Sequence, residues 1–286
     1  MIRIIDTYSQ INTLFDYSTF NYEKWVVYMN SIYENSSTIF KNEIDEYINS
    51  GKYTFDNDFL PVINAVYNNP KLEILHENFI SITTNINERI LKQFSREVHI
   101  DIVLYLGLCN AAGWVTRING FDTILLGVEK IIELNWYNLS SMYGLIYHEL
   151  GHVYQEQYGI LSQASDDNKK NFVWQLFTEG IAMYFEQTLV GNYNYYHQDA
   201  GGWKEWCDNH FVQILRDFNL DLPTMTQFEQ RYFGDWCNYH GYSDVGYYLG
   251  ARFVHHLLGK YYFDEMISFN IDFIYELYVS FMEQYK

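Results

Sequence analysis

Apolar residues recur along this chain with two different periods. Between residues 22 and 50, Trp25, Met29, Ile32, Tyr33, Phe40, Ile44, Tyr47 and Ile48 fall mostly three or four positions apart. Leu72, Leu75, Phe79, Ile82, Ile86, Ile90 and Phe94 do the same across 71–95. A repeat near 3.6 residues predicts amphipathic helices. Gly51 reads as a stop for the first and Asn68-Asn69-Pro70 as a break before the second. At residue 98 the period shortens to two. His99, Asp101, Val103 and Tyr105 alternate with Val98, Ile100, Ile102, Leu104 and Leu106, in a run rich in β-branched side chains that predicts a half or fully buried strand. A second strand, about 114–118, and a third, about 123–126, are joined through Asn119-Gly120, a dipeptide that favours the tight turn of a β-hairpin. From about Ser140 the helical period returns and holds to the C-terminus, broken by the polar run 165–170, which reads as an exposed loop. The expected fold class is therefore α+β and mainly helical, ordered as helices, a small mixed sheet of about three or four strands, then helices.

Composition narrows the function classes. At 286 residues, 48% apolar and 19% charged, the chain can bury a sizeable core, and disorder, collagen-like and coiled-coil architectures are excluded. Eighteen basic residues stand against thirty-six acidic ones, a formal charge of −18 that repels phosphate backbones and anionic lipid. Neither nucleic acid nor a membrane surface is an expected partner. No 18-residue window is apolar and uncharged, so no spanning helix is expected. Met1–Asp6 carries acid early and is not followed by the apolar run of a secretory signal, so the expected location is cytoplasmic. Three cysteines cannot form a disulfide framework.

One motif carries chemistry. His148-Glu149-Leu150-Gly151-His152 is an H-E-x-x-H on a predicted helix whose apolar side is Met142, Leu145, Ile146, Leu150 and Val153. Residues four apart share a helix face, so both imidazoles can reach one metal ion while Glu149 lies beside it as a proton acceptor. The alternative is an amphipathic helix with two ordinary histidines, non-catalytic throughout. A catalytic zinc takes a third protein ligand. Glu156 is displaced about 12 Å along the axis from His148 and cannot serve. Glu179, in the apolar run Phe177-Thr178-Glu179-Gly180-Ile181-Ala182, is the better candidate, because a lone acid on a buried face needs a partner. Its other reading is a carboxylate paired with Arg or Tyr. Glu186 shares that face two turns on and is a candidate for supporting the ligands.

His-Glu-Leu-Gly-His with a downstream Glu-Gly-Ile-Ala resembles the gluzincin zinc peptidases and, more narrowly, an uncharacterised bacterial family of predicted zinc-dependent proteases. Three further stretches carry the likeness: Tyr105-Leu106-Gly107, Ile124–Lys130 and Tyr247-Tyr248-Leu249-Gly250. The likeness spans about residues 98–260; the first hundred residues match only in being helical. The resemblance implies a zincin-like fold with one catalytic zinc held by His148, His152 and Glu179, and Glu149 as general base. It implies a peptide or protein substrate laid along the strand at 114–118 as a sheet edge. Three regions are expected: a helical 1–95, a catalytic core at 96–195, and a helical 196–286 completing the cleft. Two departures stand out. Where thermolysin-like gluzincins place an Asp four residues after the ligand Glu, this chain has Met183, so support for the ligand histidines must come from elsewhere. The interval from His152 to Glu179 is also longer, which the loop at 159–171 could absorb.

An oxyanion formed at a peptide carbonyl calls for a donor, and Tyr247 or Tyr248, at the start of a predicted helix, is the candidate source, with His240 a weaker one and plain aromatic packing the other reading. Arg252 on that helix could hold a substrate carboxylate or, as the commoner case, pair with an acid. Trp206-Cys207-Asp208-Asn209-His210 is echoed by Trp236-Cys237-Asn238-Tyr239-His240, two C-x-x-H units that could build a structural zinc site or a disulfide, or simply bury two thiols. Cys109 has no His pattern that marks a nucleophile, and His255-His256 divides between core and surface. The expected activity is zinc-dependent peptide hydrolysis. The alternative is a metal-binding regulatory or partner-specific protein on the same fold, without general protease activity.

Overall fold

The computed structural model describes residues 1–226, 229–234 and 237–285. The chain divides into two units, Met1–Glu149 and Leu150–Lys286, and the division falls inside a continuous helical run. The architecture is α+β and mainly helical, with a small mixed sheet.

The first unit is organised by that sheet. Strands β1 (Ile2–Asp6), β2 (Ile100–Tyr105), β3 (Gly113–Ile118) and β4 (Phe121–Gly127) lie in the order β1-β2-β4-β3. Strand β2 runs parallel to both neighbours and every one of its residues is buried, which is why its sequence is almost continuously apolar. Its one acid, Asp101, accepts hydrogen bonds from the Arg3 guanidinium of β1 and from the Tyr33 hydroxyl at 2.6 Å. The β3–β4 hairpin turns on Asn119 and Gly120, both left-handed at φ 50° and 88°, with Ile118 opposite Phe121. This is the primed two-residue turn that Asn-Gly favours. Strand β3 forms the sheet edge.

The helices before the sheet are shorter than the periodicity implies. The run at 22–50 is two helices, α1 (Tyr22–Ile32) and α2 (Ser36–Asn49), separated by Asn35 at φ 60°. The run at 71–95 is α3 (Pro70–Thr83) and α4 (Ile86–Phe94), separated by Asn85 at φ 58°. In both cases a single left-handed Asn redirects the chain, a role its short side chain tolerates. Apolar spacing does not register so small a break. The opening residues also differ from a helical reading: Ile2–Asp6 is a strand, stabilised by five register pairs with 100–104. A five-residue strand whose partner lies a hundred residues away has little local signature.

The sheet's C-terminal end is held by a buried carboxylate. After β4 comes α5 (Val128–Glu133), and its Glu129, 1% exposed, accepts from the Gly107 amide at 2.9 Å and the Cys109 amide at 3.0 Å. A Cβ on Gly107 would stand 2.6 Å from Glu129 Oε1, so a larger residue there would displace this carboxylate. Burial raises the Glu129 carboxyl above the usual carboxylate range, against the opposing pull of these amides. Truncation by Glu129→Ala strands two buried amides and is expected to lower the unfolding free energy by about 2–5 kcal/mol in urea denaturation. The pH dependence has a definite sign. The folded chain binds this proton more tightly than the unfolded chain, whose Glu titrates near about 4.3. Glu129's contribution is therefore full below that value and is lost as pH rises through the raised folded pKa. Replacement by Gln should remove that part of the stability-versus-pH slope; an unchanged slope would contradict it.

In the second unit the helices are α8 (Asn168–Val190), α9 (Trp203–Asp221), α10 (Val245–Leu258) and α11 (Ile271–Glu283), preceded by α6 (Leu139–Tyr143) and α7 (Glu149–Tyr158) of the helical run that crosses the division. Close approach of α8 and α10 is set by Gly180 and Gly250: a methyl group on Gly180 would fall on the Gly250 carbonyl, and one on Gly250 would lie 2.5 Å from the Leu176 carbonyl oxygen. A third small contact joins α7 to α8, where a Cβ on Gly151 would lie 2.7 Å from Ala182 Cα. The stretch from α9 to α10 is not helical among its described residues; it holds an isolated bridge between Tyr239 and Tyr242 and left-handed residues Gly234, His240 and Gly241. Among the described residues no helix is long and apolar enough to cross a membrane.

Candidate metal centre

The helical run that carries the H-E-x-x-H motif changes pitch on its way in. Between α6 and α7, Gly144–His148 forms a π-turn, a local widening frequent at functional sites. Every side chain from Gly144 to His148 is buried. Tyr147 is fixed by Arg89 of α4, whose guanidinium donates to its hydroxyl at 2.7 Å. Leu145 lies against β3, where a Cβ on Gly113 would meet its Cδ2 at 2.9 Å. His148 is thus set at the end of a turn in which Leu145 is packed and Tyr147 is bonded, and it is only 5% exposed.

One helical turn later stands His152, facing α8. The glycine between the two histidines matters here. Because Gly151 lets the backbone of α7 approach Ala182 closely, Glu179, nearly one turn earlier on α8, reaches His152: Nε2 and Oε2 are 3.3 Å apart. Ligand-capable atoms of His148, His152 and Glu179 all lie within 4.8 Å of one another. The donor chemistry fits zinc, two imidazoles and a carboxylate being a set found at catalytic zinc sites. The spacing fits as well, since two donors about 2.0–2.2 Å from one tetrahedral ion stand about 3.3–3.6 Å apart. His152 and Glu179 are each mostly buried, with side chains 17% and 15% exposed. Glu149 is half-buried and lies outside this ligand group, and Glu156 is exposed.

A second group shares His148. Its ring, the Glu186 carboxylate and the His197 ring also bring ligand-capable atoms within 4.8 Å of one another. Glu186 is 0% exposed, and both its oxygens accept from His197 Nδ1, at 3.0 and 2.9 Å. His197 carries no sequence signal of its own. It arrives because Gly191, at φ 78°, ends α8 and the chain folds back along it: Gln187 Nε2 donates to the Tyr195 carbonyl at 2.9 Å. The signal that could have found it is the buried acid at Glu186, which requires a polar partner.

The remaining candidates are distributed as follows. Tyr247 is half-buried, with its ring 6.3 Å from that of His197. Tyr248 does not offer a free hydroxyl for an oxyanion: fully buried, it donates to Asp208 at 2.8 Å and accepts from Arg252 at 2.8 Å. Burial and the Asp208 contact raise its pKa far beyond the ordinary tyrosine value. Arg252 is stacked over Phe211 and lies 3.9 Å from Asp208, the acid pairing rather than an open carboxylate receptor. The paired C-x-x-H units do not assemble. Among the described residues both metal-capable groups contain His148 and neither contains Cys207, His210, Cys237 or His240. His210 Nδ1 instead bonds the Trp206 carbonyl at 2.7 Å, His240 sits beside Tyr239, and Cys237 Sγ contacts the Phe233 carbonyl. Trp236 lies outside the described residues. All three cysteines are free thiols, and burial raises those of Cys109 and Cys207, with Cys207 at about 12. His255 and His256 are both half-buried, and His255 bonds Gln187 at 2.8 Å.

Compared with protein-family models, with curated proteins and with solved structures, the chain matches none of them.

Proposed function

We propose that this protein is a zinc-dependent peptidase of gluzincin type. The observation that carries the reading is the convergence of His148, His152 and Glu179, from two helices, on a space one ion can fill. These three residues would hold the zinc. A zinc ion in such a setting supplies Lewis acidity, polarising a carbonyl and acidifying water.

The chain's own residues account for the rest. Glu149, adjacent to His148 and outside the ligand set, takes the proton of the attacking water on a carboxylate oxygen. It then returns that proton to the leaving amine nitrogen, so one carboxylate serves as base and then acid. Tyr247, whose ring lies 6.3 Å from that of His197, is the candidate donor to the carbonyl oxygen, since the Tyr248 hydroxyl is committed to Asp208 and Arg252. Peptide is the favoured substrate class because β3, packed on the turn that ends at His148, is a sheet edge. An edge strand's unpaired amides and carbonyls can pair with an extended chain.

Zinc stoichiometry by elemental analysis tests the reading. Wild type is expected to hold about one zinc per chain, and Glu179→Ala to lose most of it after dialysis against a chelator. Zinc held equally by both proteins would remove Glu179 from the ligand set. Absence of zinc from wild type, even after supplementation, would overturn the metallopeptidase reading. A regulatory metal protein is favoured only if the zinc-loaded chain cuts no member of a diverse peptide library.

A further inference from the structure

We propose that Glu186 and His197 act as positioning residues for His148, an assignment that rests on the metal centre proposed above. The problem they solve is visible in the chain itself. A metal-binding histidine works only as the tautomer whose free lone pair faces the ion, and a carboxylate on its other nitrogen holds that tautomer and ring angle. The position where a thermolysin-like arrangement would supply such an acid is Met183, a thioether buried in α8 and touched by Gln198 at 3.9 Å. It cannot accept a strong hydrogen bond.

Glu186 supplies what Met183 lacks. Three residues further along α8, nearly one turn, it puts a fully buried carboxylate within 4.8 Å of a His148 ring nitrogen. A wholly buried carboxylate is costly unless hydrogen bonded, so its placement among apolar neighbours such as Phe185 and Met183 needs a reason beyond packing. His197 furnishes the other half. Donating from Nδ1 to both oxygens at 3.0 and 2.9 Å, it fixes the plane of the carboxylate and leaves it able to accept from His148. The order His148, Glu186, His197 is then a ligand, its orienting acid, and the group that orients the acid. The backbone turn at Gly191 and the Gln187–Tyr195 bond that bring His197 back along α8 serve this purpose.

The test is metal affinity of the full chain, measured by zinc competition with a chromophoric chelator, alongside the absorption spectrum of the cobalt-substituted protein. Glu186→Gln is expected to weaken zinc about 10–100-fold, the usual effect of losing a partner of a ligand histidine. Its cobalt spectrum should keep the wild-type shape, because the ligand set is unchanged. His197→Asn, at a more exposed position that leaves Glu186 in place, should weaken zinc in the same direction while the metal-free chain still unfolds cooperatively. That variant carries the test if Glu186→Gln does not fold. Zinc affinity within twofold of wild type in the folded variants would overturn the assignment while leaving the metal centre standing. A cobalt spectrum altered by Glu186→Gln in the way Glu179→Ala alters it would overturn it too, making Glu186 a direct ligand. Wild type without metal affinity would overturn this inference together with the proposed function.

Discussion

Glu149→Gln is expected to keep its zinc and lose peptide hydrolysis by about 10²–10⁴-fold, the range over which a positioned general base acts. Gln preserves the size and polarity of the side chain but cannot accept a proton at neutral pH. Because Glu149 lies outside the group formed by His148, His152 and Glu179, metal content should not follow activity down. The paired measurement is turnover of a cleaved library peptide beside zinc per chain. Loss of both together would mean that the substitution disturbed the helix. Turnover retained with zinc bound would remove Glu149 from the chemistry. Loss of turnover with zinc retained is the separation that assigns the base.

The second large effect concerns folding. Gly180→Val is expected to destabilise the second unit by about 4 kcal/mol or more, enough to abolish a cooperative transition in a marginally stable chain. The first added carbon already falls on the Gly250 carbonyl, and the next nearest atoms are the Gly250 carbonyl carbon at 2.6 Å and Val254 Cγ2 at 2.7 Å. Backbone atoms cannot step aside as a flexible side chain can, so α8 and α10 must separate, and Glu179 sits next to Gly180 on α8. Gly191→Ala is the control. That glycine is left-handed at φ 78° with open space around it, so its cost should be only the strain of the conformation, about 1 kcal/mol. Urea denaturation of the metal-free proteins compares them without the added stability of a bound ligand. Equal effects at 180 and 191 would show that helix contact is not what Gly180 provides.

Several parts of this molecule were legible because their signal is local. The Asn119-Gly120 hairpin needs only two adjacent residues that accept positive φ, and the buried strand at 100–105 needs only a continuous apolar run. The pairing of His148 with His152 follows from helix pitch alone. Strand β1 has no local signature because its identity rests on residues 100–104, and the left-handed Asn35 and Asn85 lie within an apolar period that continues across them. The likeness between the two C-x-x-H units was misleading for a related reason. Sequence spacing says which residues can meet within an element, whereas Cys207 is buried on α9 and Cys237 lies in an irregular segment, where its thiol contacts the Phe233 carbonyl.

The fold class, the hairpin, and the helical run that carries His148, Glu149 and His152 are written in local order, since all of these depend on periodicity and turn chemistry within a few residues. The sequence also marked Glu179 as an acid on an apolar face needing a partner. That this partner includes His152 depends on Gly151 seating α7 against Ala182, and the approach of Glu186 and His197 to His148 and of the Tyr248 hydroxyl to Asp208 likewise depends on packing between elements. Such a cluster joins elements far apart in the chain, and their approach is governed by backbone packing at small residues whose meaning appears only when the facing helix is known.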